Sequence, residues 1–451
     1  MGVLAVYGVP DASTYLYYGL HNLQHRGQEG GGIATFDENG ISYRYRGLGL
    51  LSEIFTNGQV QKLHGHLGIG AVKYANASRD GLDNVCPILF RHHSGDFAVA
   101  SDGNLVNSKQ LAQYLEKRGT IFQTDTDAEI LAHLIKKSAN EDRIVNIVKA
   151  LNMMEGGFTF VVMTKNRIYA ARDKYGIKPL CIGRIGGGFV VSSESCAFGI
   201  MGAEFIRDVR PGEIVTLDRH GIRSTIYSKF CKHRMCGMEY IYFARPDSDI
   251  DGCNVHAYRK EAGRRLYREC PVEADIVVGV PESSLSAAMG YAEESGIPYE
   301  MGLVKHKYVG RTFIEPVQSM RELGVKMKLS PVYSIVKGKR IVLVDDSIVR
   351  GTTSLKIVRL LREAGATEVH VRIASPMMRF TCHYGVDTST PEELLCSHRT
   401  LEEARQAIGA DSLGYLSPAS TRDSAFGCAD PCQACFTGEY PTLLYDSEID
   451  E

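Results

Sequence analysis

The run Ile341-Val342-Leu343-Val344 leads without a break into Asp345-Asp346-Ser347-Ile348-Val349-Arg350-Gly351-Thr352-Thr353-Ser354, and then into Leu355–Ala364. Four consecutive apolar residues read as a strand buried on both faces. Leu355, Val358 and Leu361 fall on one side of a helix that Gly365 stops. A fully buried strand feeding a helix through a polar loop restricts the local fold to a parallel βαβ arrangement, with ligands at the carboxyl ends of the strands. The same rhythm surrounds it. Ala274–Val280 is a strand-like run followed by Pro281-Glu282-Ser283-Ser284 and a helical stretch to Glu294, and Glu368–Ile373 is a third strand. The carboxy-terminal half is therefore expected to be an α/β domain.

The loop has its own chemistry. The first amides of a helix lack internal partners and carry partial positive charge, so a phosphate fits there. Gly351 permits close backbone approach, and the Thr352, Thr353 and Ser354 hydroxyls add donors. Two adjacent carboxylates beside a phosphate make sense if they accept from sugar hydroxyls or if Mg²⁺ mediates. Asp and Ser are also ordinary helix caps, but capping alone does not ask for two Asp, an Arg, a Gly and three hydroxyls together.

At 451 residues the chain needs more than one core. Residues 1 to about 230 contain the short apolar strands Gly2–Val6, Gly68–Val72, Phe97–Ala100, Phe158–Thr164, Arg167–Ala171 and Phe189–Ser193. Helical spacing recurs near Tyr15–Gln24 and Ala128–Lys137. Strands outnumber helices, as in a layered α+β domain. The polar segment Ser224–Gly252 marks the boundary, placed at 1–235 and 236–451. A net charge of −2 argues against nucleic acid or an anionic membrane as the main partner. No apolar run reaches membrane length, and the opening residues lack the basic flank of a secretory signal. A cytoplasmic protein is expected, and with it thiols rather than disulfides among the twelve cysteines. A homo-oligomer is also expected.

The loop 345–354 matches the phosphoribosyl-diphosphate (PRPP) signature of type I phosphoribosyltransferases, and its surroundings resemble the glutamine phosphoribosylpyrophosphate amidotransferase family. The resemblance runs through Phe243-Ala244-Arg245-Pro246-Asp247-Ser248, Tyr308–Ile314, Ser375-Pro376, Tyr384–Thr388 and Cys435-Phe436-Thr437-Gly438. In the first half it rests on Leu23–Glu29 and Gly103–Asn107. It covers essentially the whole chain. It implies an N-terminal-nucleophile (Ntn) amidohydrolase-like domain before the phosphoribosyltransferase domain, with PRPP as substrate and purine nucleotides as regulators. By resemblance, Asp345, Asp346, Ser347, Arg350, Gly351, Thr352 and Thr353 hold PRPP. Ser283 joins the two acids around Mg²⁺. Lys305–Ile314 forms a lid whose Lys307 and Arg311 act with Arg350 on the departing diphosphate, where positioned cations stabilise developing charge.

In that family the first domain hydrolyses glutamine with an N-terminal Cys, whose α-amine serves as base. The register of Gly2–Gly8 places Met1 at the Cys position, and a thioether is no acyl-transfer nucleophile. Lys73 stands where an Arg clamps the glutamine carboxylate, without its bidentate fork. Asp102 replaces the Asn of the oxyanion hole, and an ionised acid repels an oxyanion. Ala71 and Cys86 also depart from the pattern, whereas Arg26, Gly103 and Asp127 match it. The glutaminase is expected to be silent, with ammonia the nitrogen donor for phosphoribosylamine.

Cys432-Gln433-Ala434-Cys435 reads as a redox pair, half a zinc site or part of an iron–sulfur site. Cys236, Cys382, Cys432 and Cys435 occupy the positions at which some family members bind a 4Fe-4S cluster, so the resemblance implies that cofactor; buried thiols and a four-Cys zinc site are the alternatives. Departures near the second site (Ser330, Tyr333, Lys307) also keep two other functions open: a non-catalytic sensor of PRPP or nucleotide, and a phosphoribosyltransferase using a different acceptor.

Overall fold

A computed structural model describes residues 1–74, 81–93, 95–138, 142–306, 329–386, 388, 390–427 and 430–445. The Gly2–Tyr7 strand is buried along its whole length. It lies inside a seven-stranded sheet, antiparallel to Leu67–Lys73 on one side and Gly188–Ser192 on the other. A six-stranded antiparallel sheet, built around Phe97–Leu105, Gly156–Thr164 and Arg167–Arg172, packs against it.

Alternation along Gly2–Tyr7 explains the layering. Val3 and Ala5 enter the core shared with Val99, Val161 and Ile214. Leu4 and Val6 point the other way, against Leu16 and Leu20 of the helix Ala12–Asn22. The helices Asp127–Lys137 and Arg143–Met153 cover the second sheet. The result is a helix–sheet–sheet–helix stack. It contains strands that periodicity does not reveal, among them Gly30–Phe36 and Ser42–Leu48.

The second half is doubly wound, as the strand–loop–helix rhythm implies. Its four parallel strands run in the order Ile276–Gly279, Arg340–Asp345, Glu368–Ile373, Ser412–Tyr415. One face sends Val277, Val342 and Val344 toward Ala262, Leu266 and Tyr291 of two helices. The other sends Ile276, Val278, Ile341 and Leu343 toward Ile357, Leu361 and Ile408. Burial on both faces is why these strands read as unbroken apolar runs. No helix among the described residues is long and apolar enough to cross a membrane.

The two halves meet through a further apolar cluster. Val106 and Ile177 from the first half join Tyr240, Tyr258, Tyr384 and Phe436 from the second.

Candidate functional site

The central strand Arg340–Asp345 delivers two carboxylates to the carboxyl edge of the parallel sheet, beside the turn that follows Ile276–Gly279. Ser284 Oγ donates to Asp345 Oδ1 at 2.9 Å, and the Asp346 amide donates to the same oxygen at 2.9 Å. Asp346 accepts from Ser283 through Oδ2 and from Ser347 Oγ through Oδ1, the latter at 2.7 Å. Burial, then the neighbouring Asp346 charge, pushes the Asp345 carboxyl up to about 7. Burial also raises Asp346, against hydrogen bonds from the serines and the charge of Arg259. Ser283, Asp345 and Asp346 thus converge as expected, as a pair of acids short of positive charge. Mg²⁺ commonly binds one or two carboxylates together with substrate phosphates, and this donor set fits that pattern.

Helix Thr352–Glu363 begins immediately after the loop, and Thr352 and Thr353 are exposed on its first turn. Gly351 caps it at φ 78°, and a Cβ there would lie 2.9 Å from Leu395 Cδ2, so both conformation and space call for glycine. Arg350 points outward and pairs with Glu393 at 2.9 Å. Lys307 and Arg311, with the rest of 307–314, lie outside the described residues. Lys305 is described; its ammonium sits 3.7 Å from Glu282. A cleft of about 1030 Å³ extends from Ser283, Lys305 and Ser347 to Met1, Arg26 and Tyr74 of the first half.

At that far end the expected glutaminase residues assemble around a buried ion network. Arg26 donates to Glu194 at 2.6 Å, to both oxygens of Glu239 at 2.6 and 2.8 Å, and to Asp102 Oδ2 at 3.3 Å. Its Nε donates to the Met1 carbonyl at 3.0 Å. Lys178 Nζ stands 3.9 Å from both Asp102 and Glu239. The Met1 nitrogen is 3.7 Å from Asp102 Oδ1, an oxygen with no hydrogen-bond donor among the described residues. Burial opposes the Asp102 charge, but the Met1 amine, Lys178 and Arg26 outweigh it and keep this acid ionised. Glu194, Glu239 and Lys178 carried no signal in the sequence; only the fold brings them to Arg26.

Gly103 stands at φ 107°, and a Cβ there would lie 2.0 Å from the Gly157 carbonyl oxygen, which no other residue tolerates. Asp127 accepts from the Leu105 amide at 3.0 Å, holding this strand rather than standing free. Lys73 is buried at the end of its strand. The space bounded by Met1, Lys73, Tyr74, Cys86, Gly103 and Asp127 is about 30 Å³, room for a water or two.

The four cysteines do not form the expected iron–sulfur site among the described residues. Cys236, Cys382, Cys432 and Cys435 do gather at the junction, with Cys236 and Cys432 bridged through their backbones. Yet among the described residues no group of three or more His, Cys, Asp or Glu is placed to hold a metal ion. All four are free thiols. Burial is the dominant influence on three of them, pushing Cys432 up to about 12 and Cys236 and Cys435 further above the usual thiol range. In the metal-free protein this apolar setting holds the proton on sulfur. Of the alternatives, buried thiols fit; the spare Cys428 lies outside the described residues.

Comparison with known proteins places both halves. The glutamine amidotransferase domain family matches residues 84–199. The phosphoribosyl transferase domain family matches 259–379. The amidophosphoribosyltransferase of Bacillus subtilis is 51% identical over 457 residues, spanning 99% of this chain and 95% of that protein. Its counterpart in Staphylococcus aureus is 47% identical over 454 residues, spanning 99% and 92%. Among solved structures, the glutamine PRPP amidotransferase of B. subtilis complexed with ADP and GMP superposes with a TM-score of 0.94 over 99% of this chain and 98% of that one.

Proposed function

The chain belongs to the amidophosphoribosyltransferase family of purine biosynthesis, and from that premise we infer that it forms phosphoribosylamine from PRPP and ammonia, with its glutaminase half silent. The phosphoribosyltransferase half, taken from 236 onward, carries the reaction. The observation behind this is the convergence of Asp345, Asp346 and Ser283 at the start of a helix with exposed threonines. The free amides of that helix and the Thr352 and Thr353 hydroxyls take the 5-phosphate. Asp345 and Asp346 accept from the ribose hydroxyls and orient the ring. Ser283 faces the diphosphate, and Lys305 and Arg259 are described cations lining the same cleft.

Asp345, Asp346 and Ser283 would hold Mg²⁺, which when bound would supply neutralisation of the negative charge on the diphosphate. Arg350 would have to leave Glu393 to act on the leaving group, so it is a weaker candidate than the loop itself. Purine nucleotides are carried over as regulators from the relative bound to ADP and GMP. A cytoplasmic homo-oligomer is part of the same reading.

Silence of the glutaminase rests on three positions together. Met1 offers no thiolate, Lys73 no bidentate clamp, and Asp102 a negative charge where a donor is needed. Purified protein given PRPP, Mg²⁺ and ammonium should release diphosphate only when ammonium is present. With glutamine replacing ammonium, glutamate should stay at the uncatalysed background. PRPP binding without turnover would make the chain a sensor, and glutamate formation above background would restore the glutaminase.

A further inference from the structure

The first domain also carries a cationic hollow that neither half of the reaction uses. The Ser42–Leu48 strand is the outer edge of the seven-stranded sheet, and Ile88–Phe90 is the edge of the six-stranded sheet on the same side. Between them, closed below by the turn Val60–Lys62, lies a cavity of about 390 Å³. Arg44, Lys62 and Arg91 line it, together with Tyr43 and Tyr45; its lining includes no carboxylate.

The local acids are already committed. Asp83 is engaged by Arg46 at 3.3 Å, and Asp96 accepts from Ser42 Oγ at 3.0 Å. Asp37 accepts from the Ile41 amide at 2.8 Å and from Tyr43 Oη at 3.4 Å. Arg44, Lys62 and Arg91 form no ion pair with a described residue. Elsewhere the surface is handled differently: Arg264, Arg265 and Arg268 each hold a carboxylate within 4.0 Å. Burial, then Arg46 and Arg91, disfavours the charge on Arg44, with the more distant Asp83 charge opposing them without pairing. Three like charges around one hollow repel one another, and a multivalent anion relieves that repulsion.

We propose that this sheet-edge cavity, walled by Arg44, Lys62, Arg91, Tyr43 and Tyr45, binds a small anion bearing at least two phosphate charges. Two guanidiniums suit the planar, bidentate grip on phosphate oxygens, and an ammonium supplies a third point charge. The volume falls within the range of small-molecule sites. The outer edge of Ser42–Leu48 has no strand partner among the described residues, and such an edge leaves backbone donors unpaired. The site is independent of the phosphoribosyl cleft.

Inorganic diphosphate is the probe, titrated calorimetrically into the full chain in EDTA and 150 mM-scale salt (about the physiological level, so that loose charge attraction is screened). The Arg44→Gln and Arg91→Gln substitutions should each weaken one binding event by about tenfold. Turnover of PRPP and ammonia should be unchanged. Lys62→Gln, on a different element, should weaken the same event and serves if a strand variant folds poorly. An isotherm identical in wild type and Arg44→Gln/Arg91→Gln protein would place all the diphosphate in the phosphoribosyl cleft and overturn the proposal. So would no binding at all, or sulfate binding as tightly as diphosphate.

Discussion

Replacing Asp345 and Asp346 together with Asn will raise the unfolding temperature of the ligand-free protein at pH 8 while lowering PRPP turnover by at least about a thousandfold. The two effects share one cause. The acids sit side by side, and burial together with mutual repulsion moves Asp345 from an ordinary 3.8 to about 7. An acid raised in this way favours the folded state only while protonated. That contribution is complete below 3.8 and is lost as pH rises through about 7. At ~1.4 kcal/mol for each tenfold change in proton affinity, the cost of ionising Asp345 in the empty site has a ceiling of about 4 kcal/mol. Asn keeps the acceptor oxygen for Ser284 and removes the charge. Thermal unfolding across pH 4 to 8 tests this: the gain should be largest at pH 8 and shrink toward pH 4. A variant less stable than wild type at pH 8, or one still turning over PRPP, would refute the reading of the pair as a ligand-directed strain.

Much of that site was legible because its physics is local. A strand buried on both faces must be apolar throughout, so Ile341–Val344 announced itself, and the helix after it was fixed by Leu355, Val358 and Leu361. The Glu368–Ile373 strand has the bounds its residues implied. Long-range features were harder. Gly30–Phe36 begins with three glycines and looks like a turn, yet it pairs with strands on both sides, because close packing against neighbours selects glycine there. The hydrogen-bonding of Arg350 to Glu393 depends on a turn 43 residues away, which spacing cannot supply. The four cysteines were correctly brought to one place, but their chemistry was misjudged. Position in the sequence says where thiols gather, whereas the placement of their sulfurs decides whether they can hold a metal, and among the described residues it does not suit one. Arg26 was singled out by resemblance as part of a glutamine pocket; its partners Glu194 and Glu239, 168 and 213 residues away, make it the centre of a buried ion network.

That network carries the second large effect. Arg26→Ala should destabilise the protein by about 3–5 kcal/mol, because it removes the guanidinium that bonds Asp102, Glu194 and Glu239 together and leaves these acids buried with weaker compensation from Lys178, His25 and the Met1 nitrogen. Burial alone would raise Glu194, yet the charges of Arg26 and His25 hold it far below its ordinary 4.5. A depressed acid stabilises the fold above its unfolded value and loses that contribution as pH falls through the folded one. In wild type the loss therefore comes only under strongly acidic conditions. Without Arg26 the acids take up protons nearer neutrality, which relieves part of the penalty, so the cost of the substitution should be smaller at pH 5 than at pH 8. Urea unfolding at the two pH values measures it, and glutamate release from glutamine should be undetectable before and after the change. A cost independent of pH would mean that Arg26 stabilises through packing rather than charge. A loss of glutamine hydrolysis on substitution would return Arg26 to a catalytic pocket. Glu239 gives the network reach beyond the first domain: its own backbone begins the turn whose Tyr240 and Ala244 carbonyls accept from Arg259, and the Arg259 charge in turn acts on Asp346. Neutralising Arg26 should therefore loosen the junction between the halves before it disturbs either core, and amide exchange should rise first across 239–245.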